Sequence, residues 1–112
     1  MPTHNFIKGS LTAIILQLLE ENGRMYGYEM TKKVRENSKG KININEAALY
    51  PALHRLCAQG ILTTKSERID GRIRKYYSLT IKGKKQSQKE IDSLKDMLES
   101  LSLILKNKPQ YG

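Results

Sequence analysis

The segment Asn43–Leu56 constrains the fold of this chain most, because it joins a clear helix start to two chemically different helix faces. Asn45 is a good N-cap, since its side chain can accept a hydrogen bond from a free backbone N–H. Leucines at helical spacing predict one buried face, whereas the other face is small, aromatic and basic. Such a helix fits a DNA major groove, although an ordinary amphipathic helix shows the same pattern. The residues predicted to contact DNA from this helix are Asn45, Ala47, Tyr50, Pro51, His54 and Arg55.

A basic hairpin after this helix favours the DNA-binding interpretation. Gly60 ends the helix, and strands are predicted over Ile61–Glu67 and Arg74–Leu79. Asp70-Gly71 between them is a strong signal for a two-residue hairpin turn. A basic hairpin in this position is the wing of a winged helix-turn-helix, which lies along the minor groove or the phosphates. The predicted wing contacts are Arg68, Arg72, Arg74 and Lys75.

The first predicted helix is apolar nearly all the way round. It follows an entry arm, Met1–Lys8, and runs over Leu11–Glu21 with Ser10 as its cap. A small domain has only one core, so we expect part of this helix to meet a second subunit through Leu11 and Ile15.

A second helix is predicted to follow Met25 and to end near Ser38, with Gly40 as its break. Ile42 and Ile44 alternate with a polar residue and could form a very short strand.

The last helix is predicted to begin after Thr80, its cap, and to reach Lys106. Its apolar residues step by three and four, which is the seam of a coiled coil. This seam is longer than a winged helix can cover, so a second copy of the chain is the expected partner; the alternative is that the helix folds back on its own domain. The predicted interface residues on this helix are Ile91, Leu94, Leu98, Leu101 and Leu105.

The predicted fold is therefore mostly α with a small β-hairpin wing: a winged helix-turn-helix plus a long C-terminal dimerisation helix. The predicted divisions are a DNA-binding domain at 1–80, the dimerisation helix at 81–106 and a flexible tail at 107–112.

Composition limits the class of protein. The chain of 112 residues has a formal net charge of +9, which indicates a polyanionic partner, either nucleic acid or anionic lipid. It has one cysteine, no membrane-spanning stretch and no signal-peptide layout, so a cytoplasmic protein is expected. The sequence shows no paired carboxylates, no phosphate-binding loop and no metal-ligand spacing. We therefore expect no enzymatic activity, no metal site and no cofactor. Cys57 is predicted to be a small core residue rather than a nucleophile, and His54 lacks a nearby second ligand.

The order of these motifs resembles the PadR family of bacterial transcriptional regulators over about residues 9–105, in particular its smaller subfamily with a single C-terminal helix. The segments that carry the resemblance are Tyr26–Glu29, Leu49–Leu53, Arg55-Leu56, Gly60–Leu62, Arg74–Thr80 and Gly83.

This resemblance implies a homodimeric repressor that binds DNA through Tyr50, its neighbours and the wing cations, and that is released by a small hydrophobic or phenolic effector. The chain departs from the family in two ways. It has no tryptophan for stacking flat compounds, so Phe6 and Met97 are the effector-site candidates. Ala47-Ala48 also removes a hydroxyl that relatives often have at this point.

Three other functions share some of these features, and the first is non-specific association of a basic protein with nucleic acid. Winged helices also bind RNA, but single-strand readers use exposed stacking aromatics, and most tyrosines here look structural. A protein–protein adaptor acting through the heptad helix alone would leave the basic wing unexplained.

Overall fold

The computed structural model describes the backbone of residues 2–106 and the side chains of residues 9–106. The predicted order of three helices, a hairpin and a long helix is confirmed, with one additional short strand. The elements are α1 (Pro2–Asn22), β1 (Arg24–Tyr26), α2 (Gly27–Asn37), α3 (Glu46–Ala58), β2 (Leu62–Ile69), β3 (Arg72–Leu79) and α4 (Ile81–Lys106).

Helix α1 is the central element of the core. It packs against α2, α3, α4 and the sheet, and this explains why it is apolar on nearly every side. Ile15 and Leu16 are at most 1% exposed inside their own chain, so their burial requires no second subunit. The prediction that Ser10 caps this helix is wrong, because the helix already begins at Pro2. Proline suits the first helical position, where the N–H that it lacks has no partner in any case.

The sheet has three antiparallel strands in the order β1-β3-β2. Asp70 and Gly71, with φ of +50° and +77°, form the predicted two-residue turn of the wing, which is the hairpin of β2 and β3. Side chains alternate between the two faces of the sheet. The inner face adds Met25 and Tyr77 to the core, at 4% and 2% exposed.

The short strand predicted at Ile42 and Ile44 is wrong. The loop there is held locally, because the Ile42 backbone N–H donates to Ser38 Oγ at 2.9 Å. The strand that does form, β1, pairs with β3 and so depends on residues about fifty positions away in the chain.

Helix α4 has the predicted bounds and the predicted cap. The backbone N–H of Gly83 donates to Thr80 Oγ1 at 2.9 Å, and Thr80 Oγ1 in turn donates to the Gly60 carbonyl at 2.6 Å. A Cβ on Gly83 would collide with the carbonyl of Ile61, so only glycine lets α4 begin this close to the entry of the wing.

The apolar seam of α4 is covered over only part of its length. Ile91 is 7% exposed and Leu94 is half-buried, because this part of the helix packs against α1. Farther along, Leu98 and Leu105 are 51% and 76% exposed. The chain therefore covers the first half of the seam and leaves the second half in solvent.

Candidate nucleic-acid interface

Four of the six residues predicted to contact DNA from α3 and its cap are exposed. Asn45 caps the helix, accepting a hydrogen bond from the Ala48 backbone N–H at 2.9 Å. Ala47, Pro51 and His54 are exposed on the face opposite the buried leucines. The exposed face therefore combines small side chains with one imidazole. Because the side chains are small, the helix backbone stays accessible to a partner as large as a DNA duplex.

Tyr50 lies at the edge of this surface, and its ring is less exposed than the sequence predicts. It is half-buried, and its ring packs on Gly27 at the start of α2. A Cβ added to Gly27 would lie 2.5 Å from Tyr50 Oη and 2.9 Å from Cζ. Tyr50 thus joins the two helices of the helix-turn-helix while its edge stays accessible.

The side chain of Arg55 extends away from the exposed face of α3 and towards α1. Its guanidinium donates to Thr12 Oγ1 of α1 at 3.1 Å, and its side chain is half-buried. It lines a cleft with Lys82 and Glu90 of α4. In the free chain Arg55 therefore joins α3 to α1 and does not lie on the exposed face that carries His54.

The four basic wing residues divide between the two faces of the sheet. Arg72 and Arg74 alternate with Lys75 along β3, and Arg68 is paired with Ile73. Lys75 shares the inner face with Tyr77, its Nζ lying 5.8 Å from that ring. Arg68 and Lys75 therefore extend from the face that packs on the helices, whereas Arg72 and Arg74 belong to the other one.

Lys75 also lies close to α3. Burial raises the pKa of the Cys57 thiol, and the positive charge of Lys75 lowers it by a smaller amount. Burial likewise raises the pKa of Tyr77, whose ring centre lies 5.8 Å from Lys75 Nζ. Lys75 therefore lies beside Tyr77 on the face of the sheet that packs against the helices, and β2 of the same sheet contacts α3.

The opposite face of the sheet holds a group of contacts that the sequence analysis missed, which we call the outer-face cluster (Arg24, Tyr26, Glu67, Arg74 and Tyr76). Arg24 forms two hydrogen bonds with the carboxylate of Glu67, at 2.5 and 3.2 Å, and its guanidinium lies 4.2 Å from the centre of the Tyr76 ring. Arg74 lies 4.7 Å from the centre of the Tyr26 ring. The only sequence signal was the alternation of Arg24 and Tyr26 around Met25, and it spans three residues.

The predicted interface and effector residues have varied surroundings. Leu11 is half-buried against the core, Leu101 is half-buried on α4, and Met97 is 50% exposed. The side chain of Phe6 lies outside the described residues. Between residues 2 and 106, no helix is long and apolar enough to cross a bilayer. The same region holds no group of three or more His, Cys, Asp or Glu placed to bind a metal ion.

The sequence model of the PadR-like family of transcriptional regulators matches residues 15–89, which include α2, α3, the wing and the start of α4. This chain belongs to that family. The family and the winged-helix fold predicted from the sequence are thus both confirmed.

Relatives of this PadR-like regulator match it over most of its length. An uncharacterised protein of Lysinibacillus sphaericus is 30% identical over 94% of this chain and 96% of its own. A transcriptional regulator of Clostridium thermocellum has a TM-score of 0.75 and 28% identity, over 94% of this chain and 99% of that one. PadR of Bacillus subtilis, solved in complex with operator DNA, has a TM-score of 0.62 and 28% identity, over 70% of this chain and 45% of that chain.

Proposed function

We propose that this PadR-like regulator represses transcription as a homodimer that binds a pseudo-palindromic DNA operator, and that it belongs to the smaller subfamily. The exposed face of α3, together with exposed wing cations on the inner face of the sheet, is the observation that carries this proposal. The structural similarity to a relative solved with operator DNA supports the same partner.

On α3, the proposed contacts are the exposed residues and the accessible edge of Tyr50. Ala47 and Pro51 let the helix backbone approach the bases, and His54 supplies a hydrogen-bonding group. Asn45 lies at the helix start, where free backbone N–H groups can also meet a phosphate. Arg55 reaches the duplex only if it leaves Thr12, so we assign it to the α1–α3 contact.

On the wing, the proposed contacts are cations that meet the DNA backbone. Arg68 and Lys75 are exposed on the side of the recognition helix, and Arg72 is exposed beside the turn. Phosphate contacts from these residues would supply much of the affinity and make it fall steeply with salt.

The proposed dimer contact is the incompletely covered part of the α4 seam, made by Leu94, Leu98, Leu101 and Leu105 of two copies. Ile91 is already buried against α1 and is not part of this contact. Twofold symmetry would then place the two recognition helices about 34 Å apart, one turn of B-DNA.

We further propose that a small hydrophobic effector binds between α1 and α4, close to Met97. It would release DNA only by binding one spacing of the two wings more tightly than another. A panel of hydrophobic compounds that leaves operator affinity unchanged would remove this part of the proposal.

The test of the function is binding of the purified protein to a duplex from its own upstream region and to a scrambled duplex, at two salt concentrations. Tighter binding to the native duplex, retained as overall affinity falls with salt, is the expected result. Equal binding to both duplexes, repeated with fragments covering the neighbouring promoters, would contradict a sequence-specific regulator.

A further inference from the structure

The outer-face cluster connects β1 to the two strands of the wing, which lie far from β1 in sequence. Arg24 lies on β1, directly before the helix-turn-helix, whereas Glu67 and Tyr76 lie on the two strands of the wing. The Arg24–Glu67 contact passes across β3, because β3 is the middle strand of the sheet. The cluster therefore connects the wing to the start of α2 on the face opposite the core.

The contacts inside the cluster are of a kind that fixes orientation. A guanidinium that donates twice to one carboxylate holds both planes in a defined geometry. The same Arg24 guanidinium lies over Tyr76, and Tyr76 meets Tyr26 edge-on with 5.6 Å between ring centres. Arg74 lies over the Tyr26 ring, so each of the two arginines contacts a tyrosine ring of the neighbouring strand.

We propose that Arg24 is a positioning residue for DNA binding: through Glu67 and Tyr76 it holds the wing at a fixed angle to α2 and α3, and Arg74 belongs to the same cluster rather than to the phosphate contacts. This inference rests on the proposed function. It assigns different tasks to different residues of the wing. Lys75 on the inner face and the exposed Arg72 beside the turn meet the phosphates, whereas the outer-face cluster fixes the orientation of the wing.

Reversal of the two charges in the cluster distinguishes positioning from simple attraction to DNA. Glu67→Arg makes the protein more positive, which by itself would strengthen binding to DNA. If Glu67 instead holds the wing through Arg24, this variant binds the native duplex about tenfold more weakly, because the wing phosphate contacts are displaced. Arg24→Glu is expected to show a similar loss. The double variant restores the pair in reverse and is expected to recover affinity to within about threefold of wild type.

Glu20→Arg is the matched control, because it makes the same charge change at an exposed position on α1, outside the sheet. It is expected to bind at least as tightly as wild type. Circular dichroism and thermal unfolding of each variant would show that the fold is kept.

The same variants can be followed without DNA, by hydrogen exchange of the backbone amides of residues 62–79. Exchange is expected to be faster in each single variant and to return to the wild-type rate in the double variant. Wild-type protein that fails to prefer the native duplex would count against the proposed function, while the exchange data would still test the cluster. A Glu67→Arg variant that binds DNA as tightly as Glu20→Arg, or wing exchange that does not respond to either charge reversal, would overturn the inference.

Discussion

The hydroxyl of Tyr50 occupies the space that a side chain on Gly27 would need, so the contact between the two helices of the helix-turn-helix depends on the absence of a single methyl group. In Gly27→Ala the new Cβ would lie 2.5 Å from Tyr50 Oη and force the ring outward. We expect a loss of about 1–3 kcal/mol in the free energy of unfolding, together with weaker operator binding. Urea unfolding and duplex binding would measure the two effects.

Gly9→Ala is the control for that experiment. A Cβ at Gly9 meets nothing within 4 Å, and the residue lies inside α1. Alanine should therefore stabilise the helix by up to about 1 kcal/mol. If Gly27→Ala is as stable as Gly9→Ala, Tyr50 does not exclude a side chain at position 27.

The Thr80 cap offers a second test of stability. Thr80→Ala removes the acceptor for the Gly83 N–H and the donor to the Gly60 carbonyl. The expected cost is about 1 kcal/mol in the free energy of unfolding. Thr80→Ser keeps the hydroxyl and should recover most of this loss. Equal stability of the serine and alanine variants would mean that the methyl group, not the hydroxyl, matters.

We expect α3 to recognise bases and the wing to bind phosphates, so substitutions in the two elements should have different effects on DNA binding. His54→Ala should reduce the preference for the native duplex over a scrambled one, while the salt dependence of binding changes little. Lys75→Ala should weaken both duplexes about equally and lower the slope of log affinity against log salt by about one. A reversed pattern would exchange the roles of the two residues.

The uncovered seam of α4 predicts self-association. Leu98→Lys and Leu105→Lys place charges where two seams would meet, so sedimentation should show a shift from dimer to monomer with the helix content retained. Leu103→Lys is the matched control, because Leu103 is 63% exposed but lies off the seam. Sedimentation as a dimer in all three variants would place the subunit contact elsewhere.

Cys57 provides a prediction about pH. Burial raises its pKa above the ordinary value, so at a given pH less of the residue is thiolate than in an exposed cysteine. Its alkylation by iodoacetamide should therefore be slow at pH 8 and should rise with pH along a curve displaced to higher pH than that of a model thiol. Removing the nearby charge with Lys75→Met should slow the reaction further. A thiol that reacts as fast as glutathione would contradict this.

The parts of the fold that were predicted correctly depend on local sequence. The Asn45 and Thr80 caps, the Asp70-Gly71 turn and the bounds of α4 each follow from a few adjacent residues. The family assignment also rests on motifs of this kind.

The parts that were missed depend on distant contacts. The partner of Arg24 is 43 positions away, and Arg55 contacts Thr12 at the same separation. Neither contact has a periodic signal in the sequence. The different surroundings of Arg74 and Lys75 were missed as well, because Arg74 lies over Tyr26 of the distant strand β1 whereas Lys75 lies beside Tyr77 on the opposite face of the sheet.

The join between α4 and the wing gives the molecule a fulcrum. Thr80 and Gly83 fix the first turn of α4 directly against Gly60 and Ile61, where the wing also begins. The 26 residues of α4 form a lever about 39 Å long, so a tilt of ~5° at this fulcrum moves the far end by about 3 Å. In the proposed dimer, a change in the angle at which the two α4 helices cross would therefore reach the proposed DNA-binding parts of both protomers through Gly83 and Thr80 of each.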